Sequence, residues 1–210
     1  MAAASSNKPP AGGGAGAAAK RALRAELRTQ VVVLGGTLAL LWLIELVDQI
    51  AFHGRLDELG IKPRTLRGLI GIPLHPFLHA GLPHLAANSV GLVLAGWFIV
   101  NRRRRDYFLV WLCATLLGGA GTWLIAPAAS LHVGASGVVM GLMGFLIARG
   151  FFERRVFAII NSVVMALIWG GGILRGLFPQ EHGISWQVHL FGLIGGILAA
   201  RLVRTRRPKT

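Results

Sequence analysis

Four side chains in this sequence are of types that act together on a carbonyl group. Ser136 lies in Gly134-Ala135-Ser136-Gly137, and a serine hydroxyl becomes a nucleophile when a neighbouring base takes its proton. His189, which opens His189-Leu190-Phe191-Gly192, is the residue type best suited to be that base near neutral pH. His84 and Asn88 are four positions apart, so on a helix they share a face and aim two N–H donors at one point. A nucleophile, a base and paired donors are what acyl transfer requires: attack, proton transfer, and stabilisation of the oxyanion. Taken alone, Ser136 reads as an ordinary helix cap and His189 as an interfacial histidine. The combination points elsewhere.

These residues must be positioned by elements that live in lipid. The 210 residues are 54% apolar and 14% charged, with a mean hydropathy of +0.61, which is outside the balance of a water-soluble domain. Six apolar runs approach the roughly 20 residues that a spanning helix needs: 31–52, 83–101, 107–126, 136–152, 156–174 and 188–203. The expected fold is therefore an all-α membrane protein, a bundle of six transmembrane helices. Residues 1–29, rich in Ala, Gly and Ser, read as a disordered tail. They are followed by a membrane domain over 30–204 and a basic tail over 205–210. The start has no signal-peptide pattern, so the first span is expected to be retained.

The formal charge of +14 invites a nucleic-acid reading, but the cations cluster between apolar runs as topology signals do. Seventeen of the 22 Lys and Arg residues fall on one face of a six-span layout and five on the other. The positive-inside rule then puts both termini in the cytoplasm of a multi-pass cell-membrane protein. Loops 53–82, 127–135 and 175–187 face outward. No nucleic-acid partner is expected. The expected partner is the bilayer, with lipid headgroups meeting Arg102–Arg105.

Depth ties the four residues together. At about 1.5 Å per residue from the first arginine after each span, Ser136, His189 and Asn88 stand about 18 to 21 Å above that level, and His84 about 27 Å. Gly137, Gly141 and Gly144 on the fourth span, and Gly192 and Gly196 on the sixth, form small-residue faces that let two backbones approach closely. His75 and His79 read as structural, bonding loop backbone. A metal centre is not expected, because HExxH is absent and intramembrane carboxylates are scarce. Cys113 is a lone small hydrophobe. Glu45 and Asp48, near the end of the first span, read as solvated or paired.

On these residues the chain resembles the rhomboid family of intramembrane serine proteases. Gly134, Ser136 and Gly137 resemble its GxSG element, His189 with Gly192 and Gly196 its HxxGxxxG element, and His84 with Asn88 its HxxxN element. The elements fall in the family's order on spans two, four and six. Two positions depart from the family pattern: Met140 stands where a tyrosine stacks on the catalytic histidine, and Ile70-Gly71 where the first loop carries Trp-Arg.

The resemblance implies a Ser136–His189 dyad and an oxyanion site made by the Ser136 backbone N–H with His84 and Asn88. It also implies a serine endopeptidase that needs no cofactor and cuts single-span membrane proteins through an acyl-enzyme. Gly134, Gly137, Gly141, Gly192 and Gly196 would be its structural support. A rhomboid-like protein that binds transmembrane helices without cutting them is the alternative. A small transporter would favour two related halves, and no internal repeat is evident. Nothing in the sequence fixes the substrate or the oligomeric state.

Overall fold

A computed structural model describes residues 13–154, 156–178 and 185–205. Six long helices dominate: α1 Gly16–Phe52, α2 Leu82–Val100, α3 Arg104–Ile125, α4 Ser136–Glu153, α5 Val156–Leu177 and α6 Trp186–Thr205. Each is long and apolar enough to cross a membrane. The chain is thus a multi-pass helical bundle, and the only extended pairing among the described residues is a single antiparallel bridge between Ile61 and His132.

The disordered reading of the tail needs correcting over residues 13–29. The backbone is helical from Gly13 and runs without interruption into α1. Ala, Leu, Arg and Glu recur through Ala17–Arg28 and are strong helix formers. Joined to a helix that already exists, they escape the unfavourable nucleation step. Composition alone does not reveal that coupling. Residues 1–12 and 206–210 lie outside the described residues.

α4 is the central helix, two-thirds buried and packed on α2, α3, α5 and α6. In lipid there is no hydrophobic gain in bringing apolar helices together, so close van der Waals packing must hold them. Small residues supply it. A Cβ on Gly141 would stand 3.0 Å from the Gly192 carbonyl oxygen and 2.6 Å from Ala114 Cβ, and one on Gly144 would stand 2.8 Å from the Leu193 carbonyl oxygen. From the other side, a Cβ on Gly196 would run into the Gly141 carbonyl. α4 and α6 therefore touch backbone to backbone.

The first loop does not hang free. It folds into short helical turns at Arg55–Leu59, Arg67–Leu69, Gly71–Leu74 and His75–Phe77. Trp123 Nε1 donates to the Thr65 carbonyl at 2.9 Å and Arg64 Nη1 to the Leu124 carbonyl at 3.1 Å, pinning the loop to the end of α3. Glu45 and Asp48 are buried rather than solvated, and each has one carboxylate oxygen bonded: Gln49 Nε2 donates to Glu45 Oε1 at 3.0 Å, and the Leu56 N–H donates to Asp48 Oδ1 at 3.0 Å, while Glu45 Oε2 and Asp48 Oδ2 have no hydrogen-bond partner among the described residues. The Asp48 carboxylate thus ties the end of α1 to the first loop.

Candidate active site

The chain enters α4 through a sharp turn. Gly134 has φ +114°, a conformation that side chains with a Cβ rarely adopt. Two groups of the first loop hold this turn. The Gly134 N–H donates to the His75 carbonyl at 2.8 Å, and the Ala135 N–H donates to His79 Nε2 at 3.3 Å. His75 Nδ1 in turn donates to the Ile72 carbonyl at 2.9 Å. Both histidines bond loop backbone, which agrees with the structural role read from the sequence.

Burial pushes His79 down to about 4, with His84 nearby adding to the effect. His79 is therefore neutral in the fold across a range where an unfolded histidine, near 6.5, binds a proton. Between those values the unfolded state holds more protons, so the stability supplied by neutral His79 is complete above about 6.5 and is lost as the pH falls toward 4. The expected result is that a His79→Gln variant is less stable than the parent at neutral pH and that the gap narrows in acid. Thermal unfolding midpoints of both proteins between pH 7 and pH 4.5 measure it; a gap that is constant or widens would exclude this linkage.

Ser136 is the first residue of α4. Its N–H has no intrahelical acceptor, and the positive end of the helix dipole surrounds it. His84 and Asn88, one turn apart on α2, reach the same place. A Cβ on Gly134 would stand 2.8 Å from His84 Nε2 and 3.4 Å from Asn88 Nδ2. The Ala80 N–H donates to His84 Nδ1 at 3.4 Å, so the neutral ring carries its proton on Nε2 and offers it toward the turn. Asn88 Nδ2 is buried without a hydrogen-bond partner among the described residues. Buried donors are almost always satisfied, and one left open beside a serine at a helix N-terminus is positioned to receive an anion.

α6 brings His189 to α4. Val188, just before it, has its carbonyl oxygen 3.0 Å from where a Cβ on Gly137 would stand. His189 and His84 are within electrostatic range of each other. His189 Nδ1 lies 2.9 Å from the Gly176 carbonyl oxygen. A carbonyl only accepts, so Nδ1 carries the proton and Nε2 keeps its lone pair.

Gly176 lies in the last turn of α5, where carbonyls lack helical partners and the dipole favours a cation. The α5 terminus thus orients the ring and fixes its tautomer, part of the work that an aspartate does in a Ser-His-Asp triad. Met140 packs at the same spot: its Cε would be 3.4 Å from a Cβ on Gly176, against 3.0 Å for His189 Nδ1. No direct Ser136–His189 hydrogen bond occurs among the described residues; in unliganded sites such bonds are often long and tighten with substrate. Sequence reasoning missed Gly176, because its contribution is a backbone carbonyl that no residue type announces.

The profile of the Rhomboid domain matches residues 67–206. An uncharacterized protein of Mycobacterium tuberculosis is 41% identical over 192 residues, covering 84% of this chain and 78% of its own length. One of Mycobacterium leprae is 38% identical over 181 residues, 82% of this chain and 71% of its own. A Bacillus subtilis protein, provisionally named a rhomboid protease, is 30% identical over 133 residues, 63% of this chain and 66% of its own.

Proposed function

This chain belongs to the rhomboid family, and from that premise we propose that it is a serine endopeptidase cutting transmembrane segments of single-span membrane proteins within the bilayer. Ser136 is the nucleophile and His189 the base. The observation that carries the reading is the open Asn88 amide beside the turn that presents Ser136. The His189 tautomer, with Nδ1 bonded to Gly176, supports it.

In this mechanism His189 Nε2 takes the Ser136 hydroxyl proton as Oγ attacks the substrate carbonyl carbon. The carbonyl oxygen, now negative, accepts hydrogen bonds from the Ser136 backbone N–H, His84 Nε2–H and Asn88 Nδ2–H. The imidazolium, held in orientation by the Gly176 carbonyl, returns the proton to the leaving amine. Water, deprotonated by the same nitrogen, then releases the acyl group and frees Ser136. A helical substrate hides its carbonyls in hydrogen bonds, so preferred substrates carry Gly, Pro or other helix-weakening residues near the level of Ser136. In this reading both termini lie in the cytoplasm and the site opens toward the outer face.

A fluorophosphonate probe tests the assignment: it should label the full-length protein in liposomes, with the adduct on Ser136. Absence of labelling together with retained binding of transmembrane peptides would favour the non-catalytic alternative. Asn88→Ala should lower turnover on the order of 10- to 1,000-fold with little change in KM, because its donor acts mainly on the developing charge. Initial rates on a reconstituted single-span substrate give both constants, and unchanged turnover would remove Asn88 from the oxyanion site.

A further inference from the structure

At the basic end of the bundle, far along α4 from Ser136, two guanidinium groups share one carboxylate. Arg102 Nη2 lies 2.9 Å from Glu153 Oε1, and Arg149 Nε lies 2.9 Å from the same oxygen. Among these three groups one positive charge is left over, and the nearby Asp106 carboxylate, in electrostatic range of Arg102, is itself flanked by Arg103. Arg149 is 8% exposed, and charge held away from water is costly unless an opposite charge accompanies it.

Beside the trio is a cavity of about 620 Å³ between α2, α4 and α5, with the Asn101 and Asn161 amides on its wall. That volume is in the range of ligand-binding pockets. The trio itself, with Leu146, Ala158, Phe98 and Phe157, completes the lining, and the two phenyl groups are 44% and 88% exposed. A net-cationic, amide-lined cavity whose wall carries two exposed phenyl groups matches one chemistry. We propose that this cavity binds the phosphate headgroup of an anionic membrane lipid. Arg102 and Arg149 take the phosphate oxygens, the Asn amides add donors, and Phe98 and Phe157 flank the first methylenes of the acyl chains. Inorganic phosphate shares the head chemistry but leaves the exposed phenyl groups uncovered, so the lipid is the preferred occupant.

Native mass spectrometry of the full-length protein, extracted from vesicles of phosphatidylcholine mixed with phosphatidylglycerol, tests this. The expected result is preferential retention of phosphatidylglycerol, reduced about tenfold in Arg102→Gln and about threefold in Asn161→Leu. The Asn variant keeps every charge, so it reads the site even where the Arg variant folds poorly. Equal retention of both lipids, or undiminished retention in either variant, overturns the proposal. Displacement of the lipid by millimolar inorganic phosphate would assign the site to a free anion and overturn the lipid as its occupant.

Discussion

On the proposed mechanism, Ser136→Ala is expected to abolish cleavage of a reconstituted transmembrane substrate, lowering the rate on the order of 10⁴-fold or more, and His189→Ala to do the same. The two losses should not add, because a nucleophile and its base act as one unit and either removal ends the same step. What survives is the contribution of the donors around the Gly134 turn, which need neither residue to stabilise an oxyanion formed by water attack. Neither change should unfold the chain. Ser136 makes no side-chain hydrogen bond among the described residues, and its helix begins from the Gly134 turn, which is held by His75 and His79. Initial rates in liposomes, with thermal midpoints alongside, check both expectations; full activity in either variant rules out the pair. A helix-binding protein without chemistry behaves differently, since Ser136→Ala would leave its peptide affinity intact and the parent would show no cleavage to lose.

The parts of this architecture that were legible from the sequence are those whose signal is a side chain out of place. Polar residues within apolar runs are costly, so Ser136, His189, His84 and Asn88 stood out against their neighbours. Glycines at intervals of three and four on the fourth and sixth spans showed which faces approach, and the backbone contacts of Gly141 and Gly196 lie on those faces. Backbone chemistry was not legible. The carbonyl of Gly176 and the N–H groups of Gly134 and Ala135 are present in every residue type, and only the fold decides which of them meets an imidazole. Arg149 shows a different limit: read as a topology signal, it is buried against Glu153 and Arg102. A cation near a span end counts toward orientation whichever way its side chain turns.

Gly196→Val should cost the bundle about 3 kcal/mol and most of its activity, although residue 196 is two helical turns from His189. The argument runs through the α4–α6 contact. A Cβ at 196 would overlap the Gly141 carbonyl, and the groups it meets are backbone that cannot rotate away. The helices must therefore separate, and separation moves His189 away from Ser136, because α6 carries one and α4 the other. A displacement of about 1 Å at a reacting pair costs on the order of 100-fold in rate. Gly171→Val is the matched control: nothing lies within 4 Å of a Cβ there, and the position is on the exposed side of α5. Thermal midpoints and rates of fluorophosphonate labelling should fall together in Gly196→Val and hold in Gly171→Val. If Gly196→Val kept both, the small-residue contact would not be what positions α6 and its His189 against α4.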